Sequence, residues 1–259
     1  MEIQFKKAER KDGKLRLSLI APSGYGKTHS ALLIAKGLGG KIAVLDTENA
    51  SASLEAGKDG IPEFDTLNMS APYMPEKYVL AIKAAEEAGY DTIIIDSLTH
   101  AWAGSGGLLD KHGAIADKGG NSFAAWRTVT PDHTKLVDAI IGSKIHVIST
   151  MRSKTEYSLE GGKVTKVGLA PVQREGMEYE MTLVFDLDKT HNGHCSKDRT
   201  GLFDGKITKM SADVGKQLKA WLNSSSKAAV EAQKKYEAEE ALKTPEQKIK
   251  ELEDALENS

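Results

Sequence analysis

Residues 21–28, APSGYGKT, combine the residue types and spacing that bind a phosphate chain. In a glycine-containing turn between a strand and a helix, successive backbone N–H groups point at phosphate oxygens, and the helix dipole favours their negative charge. We expect Lys27 to reach the terminal phosphates and the Thr28 hydroxyl to coordinate Mg²⁺. The segment therefore predicts a site for ATP with Mg²⁺, whose binding residues are Pro22, Ser23, Gly24, Tyr25, Gly26, Lys27 and Thr28.

Acidic residues follow two apolar runs that are typical of strands. Asp96 ends the run DTIIID, and Glu48 stands two residues after the run KIAVLD, which ends in Asp46. Because the carboxyl ends of parallel strands meet at one sheet edge, we expect these carboxylates beside the phosphate loop. Asp96 is predicted to hold Mg²⁺ through water or Thr28, and Glu48 to orient a water molecule toward the γ-phosphate. Asp46 is predicted to be structural, and a pair of solvated loop acids is the alternative for Asp46 and Glu48.

A further apolar run, KIHVIST, ends in Thr150 and leads into the polar segment MRSK. A hydroxyl at this strand end is placed to touch the γ-phosphate and to report its presence to the segment that follows. We therefore include Thr150 among the predicted nucleotide contacts, with an ordinary strand-end polar residue as the alternative.

These residues need a parallel sheet to bring them together. Strand-like runs alternate with helical patterns, the strands at residues 15–21, 41–46, 64–69, 91–96 and 144–150 and the helices at 27–37, 75–90 and 133–143. Strands that are apolar on both faces are typical of parallel sheets covered by helices. The succession predicts an α/β fold, a three-layer α/β/α core with a mostly parallel sheet.

Beyond residue 150 the pattern changes. Alternation on either side of Gly161 and Gly162 predicts a β-hairpin, residues 181–188 predict a strand, and residues 214–222 predict the last core helix. We predict a core over residues 1–222, a serine-rich linker at 223–226 and a charged helical C-terminal extension at 227–259. The extension holds six lysines and nine acidic residues, and a modest apolar stripe at Ile249, Leu252 and Leu256.

The composition excludes several classes of protein. Of the 259 residues, 40% are hydrophobic and 28% are charged, which is typical of a globular protein. One cysteine, Cys195, excludes an internal disulfide, and no apolar run approaches the roughly 18 residues of a membrane helix. The charged N-terminus is not a signal-peptide pattern, so we expect a cytoplasmic protein without a membrane partner. A net charge of −2 means that nucleic-acid binding requires a local basic surface.

The motifs APSGYGKT, LDTENA, IIIDSLTHAW and STMRSKTEY, in this order, resemble the RecA-like ATPases. They are most similar to a compact phage group of AAA-family ATPases, or RecA-like single-strand annealing proteins. The run GKVTKVGLAPVQREGMEYEMTLVFDLD is similar to that group's segment after the fourth motif, and SKDRTG to its late basic motif. The resemblance covers about residues 15–222 and implies a RecA-like P-loop core. It also implies ATP hydrolysis and a homo-oligomeric ring or filament, located in the host cytoplasm if the protein is phage-encoded.

The resemblance implies roles for single residues. Glu48 matches the catalytic glutamate of RecA-like proteins, whereas Thr150 departs from the glutamine that RecA carries there. Lys197 and Arg199 match basic residues that reach a neighbouring subunit's nucleotide, which would make hydrolysis depend on oligomerisation. A solvated basic strand end is the alternative for these two residues.

Single-stranded DNA is the partner that the resemblance implies. RecA-like proteins place two loops at the filament axis, where cations follow the phosphate backbone and bases stack on aromatic rings. The matching segments here are residues 116–128 and the hairpin region. The candidate contacts are Arg152, Lys154, Lys163, Lys166 and Arg174, with Phe123, Trp126 and Tyr157 available for stacking. Interspersed glutamates leave the hairpin region only slightly basic.

The sequence thus predicts an ATPase that uses its nucleotide state to control binding or annealing of single-stranded DNA in phage recombination or repair. The alternative is a nucleotide-gated interaction or loader module, whose charged tail recruits a single-stranded DNA-binding protein or a replication factor. A small-molecule kinase is a third possibility, disfavoured because no lid or acceptor-pocket signature is evident.

Overall fold

The computed structural model describes residue 10 and residues 13–118, 121–160 and 163–224, with the backbone alone for residues 155–169. By internal contacts the chain divides into two units, Lys14–Gln217, and Met1–Gly13 together with Leu218–Ser259. In the second unit the Arg10 guanidinium lies over the ring of Trp221, 4.8 Å from its centroid. The predicted boundaries at residues 222, 226 and 259 stay predictions, because the extension lies outside the described residues.

The first unit alternates strands and helices, as the sequence pattern predicts. Its described strands are β1 Arg16–Ala21, β2 Ile42–Asp46, β3 Asp65–Asn68, β4 Thr92–Asp96, β5 His146–Glu160, β6 Lys163–Pro171, β7 Leu183–Leu187, β8 Asn192–Asp198 and β9 Ile207–Lys209. The described helices are α1 Lys27–Leu38, α2 Pro75–Glu87, α3 Thr99–Ala103, α4 Leu108–Ala116, α5 Ser122–Ile141 and α6 Ala212–Asn223, the last of which continues into the second unit.

The strands form one mixed sheet in the order β3-β2-β4-β5-β1-β7-β8-β9, with β6 beside β5. Strands β3 to β7 along this order are parallel, and β8 and β9 add an antiparallel edge. Ile93 and Ile95 of β4 share a core with Tyr78 of α2 and Leu136 of α5. The intervening Ile94 faces the opposite side, where α1 contacts β1, β4 and β5. The structure confirms the predicted three-layer α/β fold.

Strand β5 is longer than predicted and pairs with different strands in its two halves. Up to Arg152 it pairs with β1 in the parallel sheet, and from Ser153 to Glu160 it pairs with β6 as an antiparallel hairpin. The Val172 N–H donates to the Arg152 carbonyl at 2.7 Å, which joins the returning chain to the root of the hairpin. The predicted hairpin is thus confirmed, and its turn at residues 161–162 lies outside the described residues.

The prediction of a loop at residues 116–128 is wrong for residues 122–128, which form the first turns of α5. The Asn121 side chain accepts a hydrogen bond from the Phe123 N–H at 2.9 Å and caps the helix. Ala125, Val129 and Leu136 then lie buried on one face. The helix continues through Pro131, a residue that usually ends such a pattern.

Among the described residues, none of the helices combines the length and the apolar character that crossing a membrane requires.

Glycines allow α1 and the first turns of α6 to approach closely. A Cβ on Gly215 would collide with the Ile34 carbonyl oxygen and would lie 2.8 Å from the Gly37 Cα. A Cβ on Gly37 would in turn collide with the Ala212 carbonyl oxygen. The crossing fixes α1, the helix that begins at the phosphate loop, against its neighbour.

Gly215→Ala should lower the free energy of unfolding by about 2 kcal/mol, because the colliding atoms belong to backbone and must shift. Urea unfolding followed by circular dichroism measures this change. Gly113→Ala is the matched control, since Gly113 lies in α4 and a Cβ there meets nothing within 4 Å. That control should be neutral or stabilising by up to about 1 kcal/mol. Equal losses in both variants would contradict the packing argument.

Candidate functional site

The predicted phosphate loop connects the end of β1 to the start of α1. Residues 22–26 form the turn, with Gly24 and Gly26 in the left-handed region at φ values of 80° and 71°. Glycine adopts this conformation without the penalty that a Cβ brings. Gly26 is also the N-cap of α1, so no side chain caps the first N–H groups of the helix. These N–H groups provide a site for an anion.

Lys27 is held within this loop. Its side chain is buried, and Nζ donates to the carbonyl oxygens of Pro22 at 2.8 Å and Ala21 at 3.1 Å. Burial lowers the pKa of Lys27, while the negative charges of Glu48 and Asp96 oppose that shift. A bound phosphate would supply a full negative charge for this ammonium group.

Asp96 lies at the end of β4 and is 1% exposed. Its Oδ2 accepts a hydrogen bond from the Thr28 hydroxyl at 2.6 Å, and its Oδ1 accepts one from the Thr150 hydroxyl. Burial raises the pKa of Asp96, and the two hydroxyl donors oppose that shift. The structure thus brings Thr28 and Asp96 together, and it places Thr150 as a residue that orients the carboxylate.

The donor atoms at this position fit Mg²⁺. The Thr28 hydroxyl and the Asp96 carboxylate supply hard oxygen ligands, and Mg²⁺ commonly combines one or two protein ligands with phosphate oxygens and water. In the part of the chain that the structure describes, no group of three or more His, Cys, Asp or Glu residues could hold a metal. A magnesium ion here would depend on the nucleotide, whose phosphate charge it would neutralise.

Asp46 shapes the turn after β2. Its Oδ1 accepts from the Glu48 N–H at 2.6 Å, and its Oδ2 accepts from the Ala52 N–H at 2.7 Å. Between these donors, Asn49 and Ala50 adopt left-handed backbone angles. The contacts agree with the predicted structural role of Asp46, because its carboxylate is occupied in holding the segment that carries Glu48.

Glu48 is paired with Arg152. Its Oε1 accepts a hydrogen bond from Arg152 Nε at 3.0 Å and forms an ion pair with Nη2 at 2.9 Å. Glu48, Lys27, Thr28 and Asp96 line one cavity of about 460 Å³. The structure therefore places Arg152, a predicted DNA contact, beside the carboxylate predicted to orient water.

Two histidines also line this cavity, and the sequence analysis did not assign either of them to it. The His191 ring lies against the loop, so that a Cβ on Gly26 would be 2.7 Å from its Nε2. His29 lies 6.1 Å from His191, centroid to centroid, and its Nδ1 is 2.8 Å from Glu55 Oε2. The structure thus places His191 at the cavity that holds the phosphate loop.

The turn that carries His191 is built by Asp188. The Asp188 carboxylate accepts from the backbone N–H groups of Asn192 and Thr190 at 3.0 Å and 2.8 Å. These hydrogen bonds, with those of the two side chains, lower the pKa of Asp188 to about 2. The turn pattern is visible in the sequence, but its contact with Gly26 depends on β7 lying beside β1.

Lys197 and Arg199 do not line the cavity of their own chain. Lys197 is paired with Val184, which pairs with Ser18, so it lies toward the end of the sheet opposite the phosphate loop. Both side chains donate to the Tyr179 carbonyl, Arg199 at 3.0 Å. Their predicted contact with a neighbouring subunit's nucleotide stays a prediction.

The remaining described residues predicted to contact single-stranded DNA do not line the cavity. Lys154 is exposed, and the Arg174 guanidinium lies 6.0 Å from the centroid of the Trp126 ring. Trp126 also stacks with Trp102 and His112, at centroid distances of 5.7 Å and 4.0 Å. The side chains of Lys163, Lys166 and Tyr157 lie outside the described residues.

Cys195 is buried, and burial raises the pKa of its thiol to about 12. These observations favour a packing role for Cys195 over a nucleophilic one, because the thiolate is the nucleophilic form.

Asp96→Asn should stabilise the nucleotide-free protein and weaken its affinity for magnesium nucleotide by at least about tenfold. The amide keeps the shape of the carboxylate without burying a charge: its oxygen accepts from one threonine hydroxyl and its NH₂ group donates to the other, whose hydrogen turns away. The gain in the free energy of unfolding of Asp96→Asn over wild type depends on pH. Below the ordinary aspartate pKa the carboxyl is protonated in both states. As pH rises toward the raised folded-state pKa, the unfolded chain ionises first and folded wild type loses stability.

Urea unfolding without nucleotide, at about pH 3 and about pH 8, tests this difference. A variant less stable than wild type at the higher pH would contradict it.

No curated protein matches the chain. A family model described as an AAA domain matches residues 13–226, which include the phosphate loop, Glu48, Asp96 and the β5–β6 hairpin. The match spans most of the 259 residues, and AAA domains are generally ATPases. The chain therefore belongs to an AAA-domain family of P-loop ATPases.

Proposed function

We propose that this protein hydrolyses ATP in the cavity lined by Lys27, Asp96 and Glu48, and that it acts on single-stranded DNA as a RecA-like oligomer. The observation that carries the hydrolytic part is the convergence of these three side chains, from three separate segments, on one cavity. This arrangement combines a phosphate-binding cation, a buried carboxylate suited to Mg²⁺ and a carboxylate able to hold water.

In this proposal each residue has one task. The loop N–H groups and Lys27 bind the phosphates, while Thr28 and Asp96 would hold a magnesium ion, which would neutralise phosphate charge. Glu48 accepts a hydrogen bond from a water molecule and aims it at the γ-phosphorus. As the new P–O bond forms, the bond from the γ-phosphorus to the bridging oxygen breaks. ADP and phosphate leave, and the proton of the water passes through Glu48 to solvent.

Single-stranded DNA binding is supported by the aromatic surface at the start of α5. Phe123 is 84% exposed, and Trp126 lies nearby in the same helix, with Arg174 over its ring. Exposed aromatic rings provide stacking platforms for bases, and exposed cations such as Arg127 and Lys154 can follow the phosphate backbone. A role in phage recombination or repair follows from the resemblance described above.

Oligomerisation is supported by the position of Lys197 and Arg199. Because they lie away from their own cavity, they can act on a nucleotide only if it belongs to another subunit. A head-to-tail arrangement brings one surface of a subunit to a different surface of the next, which builds rings or filaments.

Two substitutions test the hydrolytic site. Lys27→Ala should abolish turnover, because the terminal phosphates lose their cation. Glu48→Gln should retain nucleotide binding and lower kcat by at least about a hundredfold, because the amide is no base for water. Phosphate release and binding of a fluorescent ATP analogue measure the two effects. Glu87→Gln, an exposed residue at the end of α2, is the matched control and should behave as wild type.

A second experiment tests the DNA and oligomer proposals. ATP hydrolysis is measured with and without single-stranded DNA, together with the mass of the protein in ATP. We expect DNA to stimulate turnover and ATP to favour a large oligomer. Phe123→Ser should weaken DNA binding by about tenfold, since one stacked base contributes about 1–3 kcal/mol. Ile207→Ser removes a similarly exposed apolar side chain, 74% exposed, and serves as the control.

Turnover indifferent to DNA, combined with capture of a replication partner that requires residues 227–259, would favour the interaction or loader module instead. A phosphorylated acceptor in place of free phosphate would identify a kinase.

A further inference from the structure

Arg152 holds the carboxylate that the proposed reaction depends on. Its Nε donates a hydrogen bond to Glu48 Oε1 at 3.0 Å, and its Nη2 forms an ion pair with the same oxygen at 2.9 Å. We propose that Arg152 is a positioning residue, which fixes Glu48 in the orientation that aims water at the γ-phosphate. This inference rests on the proposed function and adds a residue that acts through Glu48.

The backbone of Arg152 is anchored on several sides. Its N–H donates to Thr99 Oγ1 at 2.9 Å, and its carbonyl accepts from the Val172 N–H at 2.7 Å. It is also paired with Ala21, the last residue of β1 before the phosphate loop. The guanidinium therefore extends from a fixed point beside the loop, which makes it a firm partner for a flexible side chain.

Glu48 needs such a partner. Its backbone N–H is held by Asp46, but a glutamate side chain has several rotatable bonds. Without a contact, the carboxylate would adopt several orientations. The Glu48 side chain is 23% exposed and lines the cavity, and the Arg152 side chain beside it is 41% exposed. Both guanidinium nitrogens contact Oε1, which leaves Oε2 as the oxygen to which a water molecule can donate.

The pair is also close to the other charges of the site. Burial lowers the pKa of Lys27; the negative charge of Glu48 opposes that shift, and the positive charge of Arg152 adds to it. Glu48 in its paired orientation therefore already lies within electrostatic range of the cation that binds the terminal phosphates. The contact with Arg152 keeps the carboxylate at the reacting end of the cavity.

Steady-state ATP hydrolysis of Arg152→Ala, Arg152→Lys, Glu48→Gln and the Arg152→Ala/Glu48→Gln double variant tests this role. Arg152→Ala should lower kcat by about 10- to 100-fold, the cost of a misplaced reacting group, with little change in KM. Arg152→Lys should recover part of the loss, because it keeps the charge but not the planar fork. The double variant should be no slower than Glu48→Gln, since Arg152 has no effect once Glu48 cannot act.

Lys111→Ala is the matched control, because Lys111 is 44% exposed and also pairs with a carboxylate, that of Asp132. It should keep the wild-type kcat. Thermal unfolding of each variant separates a folding defect from a loss of turnover, and Arg152→Lys preserves the test if Arg152→Ala does not fold.

Three results would overturn the inference. They are an unchanged kcat in Arg152→Ala, a raised KM with unchanged kcat, and a further loss on the Glu48→Gln background. Equal turnover by wild type and Glu48→Gln would have a different meaning. It would overturn the proposed role of Glu48 itself, and this inference would fall with it.

Discussion

A buried carboxylate with two hydroxyl donors is the interaction on which the site depends. Asp96 joins three elements, because it extends from β4 and accepts hydrogen bonds from Thr28 of α1 and Thr150 of β5. A charge removed from water is costly unless such donors compensate it. The hydrogen bond from Thr28 to Asp96 therefore fixes the first turn of α1 against the sheet. The loop before this turn is fixed with it.

Contacts within the protein hold the charged side chains of the site in place. Lys27 is held by loop carbonyls, and Glu48 is held by Arg152. Groups fixed in advance need little reorganisation during a reaction, which is the main source of electrostatic catalysis in enzymes. The contacts that hold Lys27 come from its own loop, and those that hold Glu48 come from β5, two strands away from β2. Residues that build the fold therefore also position the reacting groups.

Local patterns predicted most of the fold, and the errors have physical causes. Strands β1, β2 and β4 were predictable because parallel strands covered on both faces are apolar throughout. The helix at Ser122 was missed because Gly119, Gly120 and Pro131 are typical of loops and helix ends, whereas the Asn121 cap and the buried face outweigh them. The continuation of β5 was missed because the same strand changes partner from β1 to β6 at its midpoint.

The sequence by itself determined the features that lie within single segments. These are the phosphate loop with Lys27 and Thr28, and the acidic residues that follow two strands. Only the tertiary structure decided that Arg152, 104 residues away, pairs with Glu48, and that His191 covers Gly26. The reason is that periodicity shows which residues of a strand are buried, but not which strand lies beside it. The order β5-β1-β7 places Arg152 and His191 on either side of the loop after β1.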